Sequence, residues 1–324
     1  NPWQHGRTAG GSSGGAGAAV AAGMGPLAQG SDGAGSIRIP SAFCGIFGFK
    51  PSFGLVPSYP PSAVESLSHV GPMTRTVRDA ALMLDVMAGF DPRDRLSLDP
   101  TTPSFVAACD GGVAGLRVAW SRDLGYAVVD PEVGDIAARA AAAFADLGCE
   151  VEEVTPGWED PFQILDAIWS TAMAGVFRDN FEQVRYQLDP GLVRVIEDGR
   201  QISGVDLAAA MQRRSQFADQ VRQFMERYDL LLTPTMPLAA FRAGDDHPGE
   251  IAGQPVTRLS WTPFTYPFNL TGQPAATVPA GFTDAGLPVG LQIVGRLRDD
   301  ATVLRAAAAI EEARPWADRR PPVD

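Results

Sequence analysis

Apolar residues recur at helical spacing in several parts of the chain, most clearly after Thr76. Thr76 and Asp79 form the pair of residues that caps a helix N-terminus, and Gly89 is suited to end the same helix. The apolar positions between them are Val77, Ala80, Ala81 and Leu84. This spacing predicts an amphipathic helix from Thr76 to Gly89.

A strand, a helix and a second strand are predicted in the middle of the chain. Residues 116–120 (LRVAW) and 149–154 (CEVEEV) have the pattern of strands. Asp130 and Pro131 are suited to open the helix between them, and Gly148 is suited to end it. Such a β-α-β unit implies a sheet that is covered by helices.

The second half of the chain is predicted to be helical first and then mostly extended. A helical pattern runs from about residue 163 to residue 228. Strands are predicted at 229–235, 276–281 and 287–295, and a last helix at 299–313. No Pro/Ser-rich or charged linker divides the chain. We therefore predict an α/β fold, with a mixed β-sheet core covered by helices on both faces, in a single domain over residues 1–324.

Composition and charge narrow the classes of function. The chain is 45% apolar with a net charge of −12, which fits a folded globular protein and disfavours nucleic acid as its main ligand. A small neutral substrate fits better, and no run of residues is long and apolar enough for a membrane span. Cys44, Cys109 and Cys149 lie far apart, which predicts reduced, buried thiols and a cytoplasmic protein.

Residues 10–35 are dominated by Gly, Ala and Ser, and they carry the first of several motifs. A helix in such a segment is stable only when it is packed tightly against its neighbours, so we expect the segment to be buried. The motifs are GGSSGG at 10–15, SDGAGSIRIP at 31–40, CGIFGFKP at 44–51, SHVGPMTRTVRDAALMLDVMAG at 68–89 and NLTGQPAATVPAG at 269–281. In these motifs the chain resembles the amidase signature family over nearly its whole length. The resemblance implies the amidase signature fold.

The resemblance also implies a Ser-Ser-Lys catalytic arrangement. In the family the nucleophile follows the first Ser of the double-serine motif by 24 positions, and here 36 − 12 = 24. Ser36 therefore corresponds to the nucleophile, and Ser12 to the bridging serine that follows a cis peptide bond. By the same resemblance, Ser13 is a supporting hydrogen-bond partner, and Asp32 and Arg38 fix the shape of the nucleophile loop.

The residues before Ser36 suit the chemistry of amide hydrolysis independently of the resemblance. The tetrahedral intermediate carries an oxyanion that needs preorganised backbone donors. Gly33, Ala34 and Gly35 can direct successive N–H groups at one point and leave room for a substrate carbonyl. We predict that these three residues bind the substrate.

Simpler interpretations compete with this one. A GGSSGG run alone is more typical of a flexible linker, and its distance from SDGAGSIRIP is what favours catalysis. The three histidines are scattered, which argues against a Ser-His-Asp triad and a metal site, and we predict no cofactor. Trp261, Phe264, Tyr266 and Phe268 are either the lining of an acyl pocket or plain core residues.

The general base is not evident in this sequence. The family uses a buried lysine well upstream of the first serine, kept neutral by desolvation. We expect that the sequence begins downstream of this lysine and lacks the N-terminal part of the fold. Lys50, the single lysine, occupies another family position, GFKP, and is interpreted as a structural ion pair or loop anchor.

The identity of the substrate is left open by the sequence. Ile39, where related amidotransferase subunits usually carry Gln, leaves that position apolar and favours a stand-alone amidase for acyl or aryl amides. The alternatives are a glutaminase or amidotransferase-type A subunit, or else a non-catalytic remnant that acts in an assembly. The predicted partner is a small-molecule amide, with no nucleic acid and no membrane, and a homodimer is left open.

Overall fold

An eight-stranded mixed β-sheet runs through the computed structural model, which describes residues 1–322. Its strands are β1 (Leu27–Asp32), β2 (Phe47–Lys50), β3 (His69–Thr74), β4 (Arg117–Trp120), β5 (Glu150–Glu153), β6 (Leu230–Pro234), β9 (Ala275–Phe282) and β10 (Pro288–Gly295), and a separate hairpin consists of β7 (Glu250–Ile251) and β8 (Gln254–Pro255). The order in the sheet is β1-β3-β2-β9-β10-β6-β4-β5. The strands β6, β4 and β5 are parallel, whereas the other pairs are antiparallel.

Helices connect the strands. They are α1 (Gly14–Ala21), α2 (Arg38–Cys44), α3 (Val77–Met87), α4 (Phe105–Ala108), α5 (Pro131–Asp146), α6 (Phe162–Val176), α7 (Phe181–Val184), α8 (Pro190–Gly199), α9 (Gly204–Arg227), α10 (Pro267–Thr271) and α11 (Asp300–Ala313). Short 3-10 helices lie at Glu65–Leu67, Arg185–Gln187 and Arg258–Trp261. None of the helices in residues 1–322 has the length and apolar character that a membrane crossing requires.

Side chains alternate between the two faces of the sheet, and each face packs against helices. On β4, Val118 lies in the core shared with α3, α5 and α11, whereas Ala119 lies in the core shared with α6 and α9. On β6, Leu232 and Leu231 divide in the same way. This alternation is the period of two that a strand imposes on its side chains. The predicted α/β fold with helices on both faces of a mixed sheet is confirmed.

Several predicted elements are found where the pattern placed them. The side chain of Thr76 accepts a hydrogen bond from Asp79 N at the start of α3. The β-α-β unit is formed by β4, α5 and β5, and Asp130 caps α5 with Pro131 in its first turn. The predicted thiols Cys44, Cys109 and Cys149 are free and buried. The single domain remains a prediction, although β1 and β10, from opposite parts of the chain, belong to one sheet.

The helical segment over 163–228 is broken into separate helices. Asp189 caps a new helix at Pro190, and Ser203 and Asp206 form a reciprocal capping box at the start of α9. These residues satisfy backbone N–H groups at a helix start, so each of them begins a new helix instead of continuing the previous one. The result is three helices, α6 to α8, followed by the long helix α9, and α6 packs against both α8 and α9.

Candidate active site

The double-serine loop and the nucleophile loop are in direct contact. The first loop precedes α1, and the second connects β1 to α2. The backbone N–H of Ser13 donates to the carbonyl oxygen of Ser36 at 3.2 Å. The Ser13 hydroxyl accepts from Ser31 N at 3.2 Å and is 3.3 Å from Ser31 O. Ser13 thus contacts the nucleophile loop through its backbone and the end of β1, which leads into that loop, through its side chain.

Ser12 and Ser36 lie in this region with different exposure. The peptide bond between Gly11 and Ser12 is cis, as the family resemblance implies, and Ser12 is exposed. Ser36 is half-buried in the turn that leads into α2. Within residues 1–322 the two hydroxyl groups form no hydrogen bond, either with each other or with another protein group. Their catalytic roles remain predictions.

A buried carboxylate organises the nucleophile loop. Asp32 accepts hydrogen bonds from the backbone N–H groups of Gly35 at 2.7 Å, Ile37 at 3.2 Å and Arg38 at 3.4 Å. The loop therefore folds back around this one side chain on both sides of Ser36. Asp32 is fully buried, so these donors and an ion pair with Arg38 stabilise its charge in place of water.

Arg38 neutralises Asp32 and connects it to distant parts of the chain. The guanidinium group forms an ion pair with Asp32 at 2.9 Å, and both side chains are fully buried. It also donates to Asn269 Oδ1 at 2.6 Å, Thr265 O at 2.9 Å and Gln292 Oε1 at 2.8 Å. Asp32 and Arg38, the two charged residues expected to flank the loop, thus form a buried ion pair. Hydrogen bonds extend this pair to backbone groups and to other side chains.

Asn269, Thr265 and Gln292 were not recognised from the sequence as part of this site. Asn269 donates to Asp32 Oδ1 at 2.9 Å, and the hydroxyl of Thr265 donates to Ala34 O at 2.6 Å. Asn269 begins the NLTGQPAATVPAG motif, which was the one available signal for it. Nothing in the local pattern marked Thr265 or Gln292.

Opposing effects determine the ionisation of Asp32. Burial would raise the pKa of its carboxyl group, but the charge and hydrogen bonds of Arg38 hold that pKa well below its usual range. Lys50 and Asn269 act in the same direction. The carboxylate therefore stays charged at neutral pH and keeps accepting the N–H groups of the loop.

The three predicted substrate-binding residues differ in what their backbone groups contact. The N–H of Gly35 is used by Asp32, so in this conformation Gly35 shapes the loop. Among the described residues, no acceptor is found for the N–H groups of Gly33 and Ala34. Gly35 has φ +131°, and a Cβ there would lie 2.5 Å from Thr265 Oγ1. A side chain at position 35 is excluded by both conformation and space.

Ile39 lies behind the loop and does not face an open site. It is 5% exposed. A Cβ on Gly35 would lie 2.9 Å from Ile39 Cδ1, and one on Gly10 would lie 3.0 Å from Ile39 Cγ2. Ile39 therefore fills the space between the two serine loops. The apolar side chain at this position is thus a buried spacer between the loops.

The aromatic residues considered for an acyl pocket belong to the core. Phe264, Tyr266 and Phe268 are fully buried with α6 and α9. Trp261 packs in a separate cluster, stacked on Phe43 at 6.3 Å between ring centroids. This burial supports plain core packing and not the lining of an acyl pocket.

His69, on β3, lies next to the Asp32–Arg38 network. It is paired with Asp32 of the neighbouring strand β1. Its Nδ1 is 2.8 Å from Leu67 O, while Nε2 has no partner in residues 1–322. Burial, followed by the charge of Lys50, lowers the pKa of His69 well below its ordinary value. Within the same residues, no three side chains of the metal-binding types are grouped together.

Lys50 is fully buried at the end of β2 and is held by backbone carbonyl groups. Its Nζ donates to Gln273 O and, at 3.4 Å, to Pro51 O. Burial, with the charge of Arg38, lowers the pKa of Lys50 well below its ordinary value. No carboxylate of residues 1–322 is within ion-pair distance of Nζ. These contacts favour the loop anchor over the ion pair.

Replacing Lys50 by methionine is expected to lower the free energy of unfolding and to affect chemistry much less. The change leaves the carbonyls of Pro51 and Gln273 without a donor, which costs roughly 1–3 kcal/mol for a buried group. Denaturant unfolding and amide hydrolysis should be measured on the same preparation. Complete loss of acylation in a folded Lys50→Met protein would contradict the anchoring role.

A family model described as Amidase matches residues 1–304. The chain belongs to the amidase signature family. It is 47% identical to an acylamidase of Rhodococcus erythropolis, over 99% of this chain and 68% of that protein. It is 36% identical to the glutamyl-tRNA(Gln) amidotransferase A subunit of Lactiplantibacillus plantarum, over 97% of this chain and 68% of that protein.

Solved structures of this family have the same fold. A bacterial aryl acylamidase has a TM-score of 0.90 and 37% identity, with coverage of 98% of this chain and 68% of that one. The 6-aminohexanoate cyclic dimer hydrolase has a TM-score of 0.89 and 32% identity, with coverage of 99% and 71%. These relatives of the amidase signature chain are amidohydrolases, which supports amide hydrolysis as its reaction.

Proposed function

We propose that this chain carries the nucleophile and the carbonyl-binding loop of an amidase that hydrolyses acyl or aryl amides of carboxylic acids to an acid and an amine or ammonia. The observation that carries the proposal is the nucleophile loop itself. Asp32 and Arg38 hold it from within the protein, while the Ser36 hydroxyl is free of hydrogen bonds to residues 1–322. A turn that is held in one conformation can keep a nucleophilic hydroxyl in position for attack on a carbonyl carbon.

In the proposed reaction, Ser36 Oγ attacks the carbonyl carbon of the amide and its proton passes by way of Ser12. The N–H groups of Gly33 and Ala34 stabilise the oxyanion. The C–N bond then breaks, and the amine takes a proton and leaves an ester on Ser36. Water hydrolyses this ester, which releases the acid and restores the serine hydroxyl.

The proposal assigns proton removal to a lysine, as the family resemblance implies. Lys50 is committed to backbone carbonyls, so the base is assigned to a lysine outside residues 1–324. General-base assistance is worth on the order of 10² to 10⁴ in rate. We therefore expect residues 1–324 alone to be nearly inactive compared with a protein that supplies this lysine.

The proposal is tested by labelling with a serine-directed phosphonate. We expect mass spectrometry to find the adduct on Ser36 in the whole protein encoded by the gene, and to find about 10²-fold slower labelling in residues 1–324 alone. Both samples should be checked for cooperative unfolding, because a poorly folded chain would also react slowly.

Two results would contradict the proposal. An adduct on Ser12 or Ser13, with full turnover by Ser36→Ala, would remove Ser36 as the nucleophile. Equal labelling rates in the two folded proteins would mean that a group within residues 1–324 acts as the base.

A second candidate is a glutaminase-type subunit of an amidotransferase, favoured by the 36% identity to a protein of that name. The acylamidase relative is more similar, at 47%, and this difference favours the stand-alone enzyme. Comparing glutamine with simple acyl and aryl amides as substrates separates the two, and a protein that turns over neither would be the non-catalytic remnant. A cytoplasmic location, supported by the buried free thiols, belongs to the same proposal.

A further inference from the structure

Trp169 on α6 lies directly on the loop that carries the proposed oxyanion donors. A Cβ built on Gly33 would lie 2.9 Å from Cζ3 and 3.4 Å from Cη2 of this indole. The same point is 3.4 Å from Val64 Cγ2. The benzo edge of Trp169 therefore contacts the backbone of Gly33, three residues before Ser36.

The exposure of Trp169 distinguishes it from the aromatic residues of the core. Phe264, Tyr266 and Phe268 are 0% exposed, whereas Trp169 is only partly buried. Trp169 is thus partly accessible to solvent, while the edge of its indole lies against the nucleophile loop. Further along α6, Met173 is also partly buried and Val176 is 54% exposed. At spacings of four and seven residues, these side chains continue the apolar strip that starts at Trp169.

Contacts on both sides of Trp169 fix the position of α6. Arg258 forms ion pairs with Asp166 at 2.5 Å and with Asp198 of α8 at 2.9 Å. Gly199 approaches so closely that a Cβ there would lie 1.9 Å from Ser170 O. The helix that carries Trp169 is therefore held against α8 by charge and by close backbone packing.

We propose that Trp169 is a specificity-determining residue that selects amides with an aromatic ring next to the scissile bond. The inference rests on the proposed function of Ser36 and names the substrate class of that site. A flat ring can stack on the accessible part of the indole while its carbonyl lies on the Gly33 loop. A short aliphatic amide gains less from this surface because it covers less of it.

The test compares substrates that differ in the ring, in the whole protein encoded by the gene. Benzamide and butyramide probe the acyl side, and acetanilide and N-butylacetamide probe the amine side. In Trp169→Ala, we expect kcat/KM for the aromatic member of one pair to fall about tenfold more than that for its aliphatic partner. Trp169→Phe should restore most of the preference. Tyr186→Ala, which removes an aromatic side chain that is 89% exposed, is the control and should leave both pairs unchanged.

The inference would be overturned if Trp169→Ala lost activity toward both members of each pair by the same factor. It would also be overturned if Trp169→Ala kept the wild-type preference for the aromatic substrates. Thermal unfolding of each variant identifies a folding defect, and Trp169→Phe then decides the question. If the wild type hydrolyses none of the amides, the proposed function fails. In that case the inference is judged by benzamide binding in ligand-observed NMR, which should be weaker in Trp169→Ala and should not distinguish Tyr186→Ala from the wild type.

Discussion

Replacing Ser36 by alanine is expected to lower kcat for amide hydrolysis by about 10⁴-fold or more in the whole protein encoded by the gene. The change removes the attacking oxygen of the proposed mechanism. The fold should persist, because the contacts that hold the loop come from Asp32 and from the backbone of Ser36, whose carbonyl accepts from Ser13 N. Thermal unfolding should therefore match the wild type while steady-state hydrolysis is lost.

A matched serine on the surface supplies the control. Ser215 is exposed on α9, and its hydroxyl donates to Met211 O at 3.2 Å. Ser215→Ala should keep the wild-type rate, whereas Ser12→Ala should lose most of it as a member of the same catalytic unit. Near-normal kcat in a folded Ser36→Ala protein would assign the nucleophile elsewhere.

The second large effect is expected from Asp32→Asn, which keeps the shape of the side chain and removes its charge. Arg38 would then be a buried cation without its partner, and losing one member of a buried ion pair costs about 3–5 kcal/mol. The N–H groups of Gly35, Ile37 and Arg38 would also lose their charged acceptor. We expect both the unfolding midpoint and the rate of acylation of Ser36 to fall.

The pH dependence of stability provides an independent measure of the same pair. The pKa of Asp32 is lower in the folded protein than in the unfolded chain, so its contribution is complete above about pH 5 and is lost as the pH falls. Asp32→Asn should lack this part of the acid-induced decrease in the unfolding midpoint. As the control, Asp179→Asn breaks an exposed pair with Arg178 and should change stability far less. Equal unfolding midpoints for Asp32→Asn and wild type would show that the buried pair does not hold the fold.

The elements that the sequence could predict are those specified by neighbouring residues. The cap at Thr76 and the start of α5 at Asp130 depend on contacts within one turn of a helix. By contrast, β1, β2 and β3 were not predicted as strands. β1 (LAQGSD) and β3 (HVGPMT) contain Gly or Pro and few β-branched residues, and β2 has only four residues. Their pairing is decided by the sheet as a whole.

The same distinction separates the parts of the candidate site. The contact between the two serine loops follows from motifs that are close in sequence. Asn269 is 237 positions from Asp32, and Gln292 is 254 positions from Arg38. Partners at such distances are chosen by the order of strands and by helix packing, which no local pattern encodes. Trp169 was missed for this reason, since its importance comes from one contact with Gly33 across the fold.

The reach of Arg38 also has a consequence for synthesis on the ribosome. Residues 31–40 are translated well before the carbonyl of Thr265 that Arg38 binds, which lies 227 positions later, and Gln292 follows it. The nucleophile loop therefore has no complete set of partners until most of the chain has emerged. A nascent chain that stops short of β10 would carry every residue of the serine motifs without the enclosure that gives them their shape.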